Sequence, residues 1–528
     1  MVSAMNPPTK RSGRIGSTKS KTGCNTCKIR RVRCGEEKPH CVRCISTGRQ
    51  CRYSTASEPR TTQSPPLQFT FSSHSGLRER RAFEYYFHRA GPSLSGVLDV
   101  SFWKGSVLQI CRLEPAVWDA VISLSTLYER PPIHESPAME MINGPAVVRQ
   151  RHHREALVWY SRSLAAFQQR INQGSADLNV LLISCILFIA IELLQGNRKA
   201  AVNLYKQGWQ IMLGANSTPM LSPLLPIFRR LGTWALIVEG GPKECWALNP
   251  INSYAGFVSI DDARNVLCGI VAEMKNLDDD VKAYWKQTHD ARRNRSPGLV
   301  ARQNHLEKRL ENWYRLFDSL ECMKTSSLPG DAVTNDGAAA LLMTYTGVLI
   351  EIKTCLDPDQ TAYDAYETEF AQILDLAPVA IASTRLVDDK QPPFMFEMGV
   401  FLPLFITALK CPFPQLRRRA LFFLSQAPPA QGLFMCGPAA DAVAVIITLE
   451  ETPTTTPRSA AEVKQLLAQP GCIPAATDRT CSFGVSSELD EKGKPLNWLH
   501  YSLRYFDGEG RMQLTQKSIP FPDLRSPS

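Results

Sequence analysis

The sequence predicts a small cysteine-rich module followed by a large, mostly all-α domain, with a short β-hairpin near the C-terminus. Six cysteines between positions 24 and 51 form two halves of spacing C-x2-C-x6-C. Apolar residues then recur at three- and four-residue spacing as far as about residue 450, which is typical of amphipathic helices. Residues 499–519 instead form two runs around Asp507-Gly508, which favours a hairpin. With 528 residues, 44% of them hydrophobic, the chain can bury a large core.

The excess of positive over negative charge lies in the first sixty residues. They hold 14 Lys and Arg against 3 Asp and Glu, a net charge of +11, whereas the whole chain carries +10. A compact basic module on a near-neutral body is typical of proteins that bind polyanions. We predict five segments: a disordered basic terminus (1–19), the cysteine-rich module (20–53), a flexible linker (54–77), the helical domain (78–450) and a C-terminal extension with the hairpin (451–528).

The six N-terminal cysteines have the spacing of metal ligands. Thiolates at positions i and i+3 can bind one ion from a single helical turn, and thiolate sets with tetrahedral geometry favour zinc. Two zinc ions need eight ligand positions, which six cysteines supply if two thiolates bridge both ions. The symmetry of the repeat points to the first cysteine of each half, Cys24 and Cys41, as the bridges. The predicted zinc ligands are Cys24, Cys27, Cys34, Cys41, Cys44 and Cys51.

Two other arrangements of these cysteines are alternatives. One zinc ion could be bound by the two CxxC pairs, which would leave Cys34 and Cys51 idle at equivalent positions of the repeat. Disulfides are the second alternative, but a disulfide framework is typical of short secreted proteins. The first residues of this chain contain no apolar segment of the kind found in signal peptides. Unlike the one-zinc arrangement, the two-zinc arrangement uses all six thiols.

Residues 23–53, GCNTCKIRRVRCGEEKPHCVRCISTGRQCRY, resemble the fungal Zn₂Cys₆ binuclear-cluster transcription factors. The match includes the six cysteines and their spacing, the basic run, and Lys38-Pro39 in the connecting loop. In that family the first and fourth cysteines bridge two zinc ions, which agrees with the symmetry of the repeat. The resemblance implies a nuclear protein that binds double-stranded DNA at CGG-type half-sites. It also implies that Pro39 lies in a turn that is often cis.

The first half of the repeat carries most of the positive charge. The stretch between its second and third cysteines holds Lys28, Arg30, Arg31 and Arg33, whereas the matching stretch of the second half holds only Arg49. We therefore expect the first half to enter a major groove and the second half to brace it. Arg30 and Arg31 are assigned to base contacts, and Lys28 and Arg33 to phosphates. The family usually has Arg-x-Arg-Lys-x-Lys here, so this chain keeps the charges but differs in the basic residues, which are not interchangeable at bidentate sites.

Residues 54–77 are rich in Ser, Thr and Pro, which predicts a flexible linker. Many members of the family continue here into a coiled coil that sets the half-site spacing. This segment has no heptad repeat of apolar a and d positions. We therefore expect that the protein either binds as a monomer or forms a homodimer through its helical domain.

Periodicity predicts particular helices in that domain. They span residues 78–90, 114–129 and 152–171, and Pro115 suits the first position of the second helix. The apolar run at 180–194 is shorter than the roughly 20 residues that a membrane span needs. It therefore predicts a buried core helix that ends at Gly196-Asn197, and no membrane partner. Residues 450–459 are expected to form a loop.

Residues 78–440 resemble the all-helical regulatory region of a subset of fungal zinc-cluster regulators. The stretches that carry this likeness are FEYYFHRAGPSLSGVLDVSFWKGSVLQICRLEPAVWDAVISLSTLYE and LLISCILFIAIELLQGN. Several members of that subset control secondary-metabolite gene clusters. The resemblance implies a regulatory domain without catalytic residues that works with the transcription machinery or co-regulators on RNA polymerase II genes, here those of a biosynthetic cluster.

The sequence predicts that the protein is not an enzyme, because it contains no HExxH, GxSxG, Walker or strand-linked GxGxxG motif. His152 and His153 have no further ligand at helical spacing, so helix packing or solvation is expected rather than metal binding. Residues 289–295, HDARRNR, are expected to be a solvated loop rather than a second DNA contact. The scattered cysteines outside the cluster are expected to be free thiols of an intracellular protein, and Trp103, Trp118 and Trp159 to be core aromatics.

These observations together predict a nuclear, sequence-specific, DNA-binding regulator of transcription. The alternative is a regulatory scaffold whose helical body binds other regulators, with the zinc module secondary. A DNA footprint of residues 1–60 would distinguish the two.

Overall fold

A computed structural model of the protein describes most of the chain as two compact units, one within Met1–His74 and one within Ser75–Ser528. The predicted basic terminus and residues 54–75 of the predicted linker lie outside the described residues. The described residues are 22–30, 32–53, 76–96, 98–132, 150–214, 223–239, 256–287, 295–320, 332–358, 360–386, 388–397, 399–453, 455–489, 495–508 and 511–524.

The first unit contains two short helices, α1 (Asn25–Ile29) and α2 (Val42–Ile45). Each helix begins directly after the first cysteine of its half, and Cys24 and Cys41 are the extended N-cap residues. Among the described residues of this unit, the buried hydrophobic cluster consists of the six cysteines, against which Tyr53 packs. The core of the module therefore consists of sulfur atoms rather than hydrocarbon side chains, which is typical of small domains whose folding depends on metal.

The second unit is mostly helical. Two π-helical turns, Tyr86–Ala90 and Phe102–Ser106, lie directly before the helices that begin at Gly91 and Val107, and a 3₁₀ turn, Gln360–Tyr366, lies directly before the helix that begins at Glu367. The helices are α3 (Leu77–Tyr85), α4 (Gly91–Ser95), α5 (Val107–Cys111), α6 (Pro115–Glu129), α7 (Arg151–Asn172), α8 (Leu178–Leu194), α9 (Arg198–Gly214), α10 (Leu225–Glu239), α11 (Ile260–Gln287), α12 (Pro297–Asp318), α13 (Ala332–Thr354), α14 (Glu367–Ala382), α15 (Phe401–Lys410), α16 (Pro414–Gln426), α17 (Cys436–Glu451) and α18 (Ala460–Ala468).

Local signals explain where the early helices begin and end. Glu114 is extended and Pro115 occupies the first turn of α6, as predicted. The Asp177 side chain caps α8 by accepting a hydrogen bond from the Val180 N–H at 3.0 Å. Gly196 follows α8 with a φ of 76°, which suits a glycine at a helix end. The helices predicted at 114–129, 152–171 and 180–194 are therefore confirmed.

Helix α8 is buried on nearly all sides and packs against α6 and α9. A helix that is apolar all round belongs either in a protein core or in a membrane. Among the described residues, no helix is long and apolar enough to cross a membrane.

Helices that follow one another along the chain also pack as neighbours from α10 to α17. The contact between α11 and α12 shows how aromatic side chains fix this array. Trp313 of α12 is buried and donates from Nε1 to the Ala263 carbonyl of α11 at 2.8 Å. Its ring also stacks on Phe317 and on Tyr345 of α13, with centroids 4.7 Å and 5.6 Å away. One tryptophan thus holds three helices together.

An antiparallel sheet of three strands follows the helices, in the order β3-β4-β5. The predicted hairpin is confirmed, because β4 pairs with β5 on either side of the predicted turn. Strand β3 was not predicted, and neither was α18 or a two-residue strand pair before α17. The strands are β1 (Ala430–Gln431), β2 (Phe434–Met435), β3 (Thr480–Leu489), β4 (Pro495–Phe506) and β5 (Met512–Pro520).

One face of this sheet packs against α17 and α18. Leu499 and Tyr501 of β4 and Ile519 of β5 form a buried cluster with Val445 of α17 and Val463 of α18. Positions 499 and 501 lie on the same face because side chains alternate along a strand. The sheet is therefore part of the same compact unit as the helices. Helix α17 ends at Glu451, so the loop predicted for 450–459 begins two residues later than expected.

The tryptophans and histidines singled out in the sequence differ in burial. Trp103 is buried, as expected, whereas Trp118 and Trp159 are only half-buried. His153 is buried and donates from Nε2 to the Arg130 carbonyl at 2.7 Å, which is a helix-packing role. Residues 289–294 lie outside the described residues.

Candidate metal centre

The six N-terminal cysteines bring their sulfur atoms into two overlapping groups. In each group the four Sγ atoms lie within 4.8 Å of one another, and all the cysteines are buried. Cys24 and Cys41 belong to both groups. The groups are Cys24, Cys27, Cys34 and Cys41, and Cys24, Cys41, Cys44 and Cys51.

The sulfur separations fit tetrahedral zinc. The Sγ atoms of Cys24 and Cys41 are 3.7 Å apart, and so are those of Cys24 and Cys44 and those of Cys27 and Cys41. A Zn–S bond of about 2.3 Å gives a tetrahedron whose edges are about 3.8 Å long. The spacing of the sulfurs is therefore that of ligands around a shared metal, and it is too long for disulfide bonds of about 2.05 Å.

Backbone amides support the two halves in the same way. The N–H of Cys24 donates to the Sγ of Cys34 at 3.3 Å, and the N–H of Cys41 donates to the Sγ of Cys51 at 3.3 Å. Both contacts join residues ten positions apart, so the repeat of spacing in the sequence becomes a repeat of geometry. N–H donors stabilise thiolate charge, which is the form of cysteine that binds metal.

Burial opposes the charge that the ligands need. It raises the pKa of Cys51 to about 12, and the pKa of Cys27 lies still higher because its neighbouring thiols add to the effect. Several thiolates in one buried cluster therefore require positive charge among them. Zinc ions supply that charge, so the sulfur-only donor set, its separations and its burial all fit zinc.

Hydrogen bonds to backbone carbonyl groups hold the module closed around the sulfurs. The N–H of Asn25 donates to the Arg52 carbonyl at 2.8 Å, and the Thr26 hydroxyl donates to the Gln50 carbonyl at 2.8 Å. These contacts tie the start of α1 to the last residues of the second half. In the connecting loop the Lys38-Pro39 peptide bond is cis, as the resemblance implied.

The basic residues of the first half differ in their surroundings. Lys28 on α1 and Arg33 after it are exposed. Arg30 is half-buried, and its Nη1 donates to the Thr47 hydroxyl at 3.2 Å, so its guanidinium group links the two halves. Arg31 lies outside the described residues. The contact of Arg30 could not be read from the sequence, because Thr47 lies in the other half of the repeat.

One exposed side chain beside these charges was not among the predicted DNA contacts. Ile29, between Lys28 and Arg30, is 83% exposed although it is apolar. Apolar side chains in a major groove can contact the methyl group of thymine. The signal in the sequence was an isoleucine within a charged run on a very short helix, and Ile29 is therefore a further candidate for the nucleic-acid interface.

Comparison with known proteins agrees with this geometry. Residues 22–60 match the family described as the fungal Zn(2)-Cys(6) binuclear cluster domain. The domain binds two zinc ions, which confirms the predicted cofactor. No solved structure matches this chain.

The relatives of the chain are regulators of transcription. The aspercryptin biosynthesis cluster-specific transcription regulator atnN of Emericella nidulans is 28% identical over 432 residues, which cover 70% of this chain and 65% of that protein. Transcription factor lfc1 of Flammulina velutipes is 49% identical over 43 residues, which cover 8% of this chain and 15% of that protein. Transcriptional regulatory protein moc3 of Schizosaccharomyces pombe is 48% identical over 44 residues, which cover 8% of this chain and 7% of that protein. The chain thus spans less than two thirds of the length of each of these relatives. Their names describe regulators rather than enzymes.

Proposed function

We propose that the protein is a sequence-specific, DNA-binding regulator of RNA polymerase II genes that acts in the nucleus. The observation that carries this proposal is the pairing of two four-sulfur groups with a basic surface on the first of them. Lys28 and Arg33 are exposed beside a helix whose start is held by Cys24 and Cys27. A rigid helix end with positive charge is suited to phosphates and to base edges in a major groove.

In this proposal Cys24 and Cys41 bridge two zinc ions. Cys27 and Cys34 complete the four ligands of the first ion, and Cys44 and Cys51 complete those of the second. The zinc ions have a structural role, since every ligand position is filled by a thiolate and none is left open for substrate. They compensate the buried sulfur charge and fix the direction in which α1 leaves the module.

Each basic residue has a proposed part in DNA binding. Lys28 and Arg33 contact phosphates, and these contacts make affinity depend on salt. Arg31 contacts a guanine of a CGG-type half-site, as does Arg30 when its contact with Thr47 is exchanged for a base. Arg and Lys side chains are the usual partners of guanine O6 and N7.

The helical body is proposed to carry regulation. The similarity to the Emericella nidulans regulator extends over 70% of this chain, well beyond the zinc module. That protein is named as specific to a biosynthesis cluster, and this supports the proposal that the present protein controls a secondary-metabolite gene cluster. We propose that the body also provides the contacts for a homodimer and for co-regulators or the transcription machinery.

Binding-site selection with the full-length, zinc-loaded protein tests the DNA-binding proposal. The selected sequences should share a CGG-type triplet, and the variant Cys24→Ser should lose the preference. Selected pools without any shared sequence would contradict sequence-specific binding. For the cluster proposal, deletion of the gene should lower or raise transcripts of adjacent biosynthetic genes together, and unchanged transcripts would contradict it.

A further inference from the structure

A cavity lies among the helices of the second unit. Its walls come from α10, α11, α13 and α14 and from two further segments. One segment contributes Gly96 and Leu98, and the other contributes Met395, Glu397, Gly399 and Val400. The cavity has a volume of about 80 Å³. One water needs about 10–15 Å³ by the same measure, so the cavity has room for several waters or for a small organic molecule in their place.

The lining of the cavity is mostly apolar. Its apolar lining includes Leu267 and Val271 of α11, Ala340 and Leu341 of α13, and Val400. A minority of the lining residues are polar, as in sites where a small number of polar groups orient a mostly apolar ligand. They are Thr233, Arg264, Thr344, Ser383, Thr384 and Glu397.

Two hydrogen-bond donors on lining residues have no acceptor among the described residues. They are Nε1 of Trp234 and Nε of Arg264. Trp234 is 1% exposed and Arg264 is 4% exposed, so bulk water does not satisfy either donor. Buried donors are almost always paired, and an unpaired one calls for an explanation such as a bound molecule. A ligand that accepts hydrogen bonds would account for both.

The charges around Arg264 indicate that this ligand is uncharged. Arg264 and Arg230 meet three carboxylates: Arg264 contacts Asp261 at 2.8 Å, Asp99 at 2.9 Å and Glu397 at 2.5 Å, and Arg230 contacts Asp99 at 2.7 Å. Each guanidinium group is already paired with a buried carboxylate, so the cluster offers no uncompensated positive charge to an anionic ligand. A cationic ligand would leave the two unpaired donors without an acceptor.

We propose that this cavity binds an uncharged, mostly apolar small molecule that carries a carbonyl oxygen. The oxygen accepts a hydrogen bond from Trp234 or Arg264, and the apolar part contacts the aliphatic side chains of α11 and α13. The inference concerns the helical body alone and does not depend on the proposed DNA binding.

Prodan, an uncharged naphthalene ketone dye, is a suitable probe for the full-length protein. We expect saturable binding of one dye per chain, with emission shifted to the blue. Acetylnaphthalene should displace the dye about 3- to 10-fold more effectively than ethylnaphthalene, since it alone offers an acceptor for a hydrogen bond. Failure of the dye to bind saturably would overturn the site, and equal displacement by the two competitors would overturn its preference for carbonyl compounds.

Three variants test whether the dye occupies this cavity. Ala340→Leu fills the space and should weaken binding at least 10-fold. Trp234→Phe removes the donor and should weaken binding about 3- to 10-fold. Trp209→Phe is the matched control, because Trp209 is also fully buried and its Nε1 has no acceptor in the described part of the chain, but Trp209 does not line the cavity.

Circular dichroism and thermal unfolding show which variants are folded. Unchanged dye affinity in folded Ala340→Leu would overturn the proposal. So would equal losses in Trp234→Phe and Trp209→Phe, because the effect would then not be specific to the cavity. If Ala340→Leu does not fold, the comparison of the two tryptophan variants decides alone.

Discussion

Individual cysteines of this protein have different chemistry because of their neighbours. In the N-terminal module each cysteine lies among other sulfurs, in groups where four Sγ atoms are within 4.8 Å. Cys185 in α8 is buried too, but its Sγ donates to the Leu204 carbonyl at 3.3 Å, and burial raises its pKa to about 12. Such a thiol is an inert packing group. The spacing of the cysteines along the chain thus distinguishes those of the metal site from the other cysteines, since the residue type is the same.

Zinc content should depend on which cysteine is removed. The full-length protein is expected to hold two zinc ions in native mass spectrometry. Cys24→Ala removes a sulfur common to both groups and should lose both ions, whereas Cys51→Ala removes a sulfur of one group and should retain one. Cys472→Ala, an exposed cysteine of the second unit, is the control and should retain two. A single zinc ion in the unchanged protein would contradict the bridged arrangement.

Two basic residues should separate base reading from phosphate binding. Arg31→Ala should flatten the preference at one G·C pair, since a bidentate guanine contact contributes about 1–3 kcal/mol of discrimination. Lys28→Ala should weaken binding to all sequences alike and reduce the salt slope by about one unit. Site selection with each variant at two salt concentrations measures both effects. If Arg31→Ala weakens all sequences equally and the preference survives, Arg31 contacts a phosphate instead.

Elements of the second unit are joined by long-range packing. The sheet packs on α17 and α18 through residues such as Leu499 and Ile519, which are 0% and 8% exposed. Between the helices, Asp99 pairs with Arg230 of α10 and Arg264 of α11 in a buried ionic cluster. Breaking a buried pair by removing one partner costs about 3–5 kcal/mol, because it leaves an uncompensated charge. Both features therefore couple the sheet and helices into one cooperative unit.

Packing of the sheet on the helices can be tested with two leucines. Leu499→Ala should lower the free energy of unfolding by about 2–5 kcal/mol, because it leaves a cavity in a fully buried cluster. Leu514→Ala on β5 is the matched control, since Leu514 is 47% exposed, and it should change stability by no more than about 0.5 kcal/mol. Urea unfolding followed by circular dichroism measures both. Equal effects would mean that the sheet does not share the core of the helices.

The ionic cluster should give stability a particular pH dependence. Burial raises the pKa of Glu397 from 4.5 to about 7, against the opposing effect of Arg264 and Arg230. The folded protein therefore binds a proton on the Glu397 carboxyl group more tightly than the unfolded chain does. The free energy of unfolding therefore falls as pH rises from about 4.5 to 7, by roughly 3 kcal/mol. The arginines lower the pKa of Asp99, so Asp99 titrates below this range.

Glu397→Gln removes this titration, and its stability should fall less between about pH 5 and 7.5 than that of the unchanged protein. Burial also raises the pKa of Asp261, which contributes a fall of the same sign in both proteins. Glu488→Gln, at an exposed position of β3, should retain the full pH dependence. Parallel curves for all three proteins would show that Glu397 does not hold a proton in the folded state.

At the scale of the whole molecule, the net positive charge lies in the first unit and the large hydrophobic core lies in the second. The first sixty residues carry a net charge of +11, whereas the rest of the chain is close to neutral. The second unit, within Ser75–Ser528, contains the helices and the sheet. In the functions proposed above, the basic unit attracts a polyanion, and the second unit makes the ligand and partner contacts.

Self-association should follow the same division. Because residues 54–77 have no heptad repeat, we expect any dimer contact to lie in the body. Sedimentation of residues 78–528 at increasing concentration should show the dimer, and zinc-loaded residues 1–77 should remain monomeric. A dimer formed by residues 1–77 would contradict this expectation.

Local spacing in the sequence was enough to predict the zinc cluster and the helices whose ends carry clear signals. Ligands of one cluster lie within 28 positions, and Pro115, Asp177 and Gly196 act on helix ends beside them. The short reach of these interactions makes them readable along the chain. The N-terminal location of the charge was visible in the same way.

Tertiary structure alone decided what depends on distant partners. Strand β3, TCSFGVSSEL, has little apolar character, and it is a strand because β4 supplies its hydrogen bonds. Arg30 meets Thr47 only when the two halves close around the sulfurs. Beside the cavity, Arg264 contacts Asp99, which lies 165 positions before it in the chain, and Glu397, which lies 133 positions after it. Periodicity reports which face of an element is apolar, but it does not report which other element covers that face.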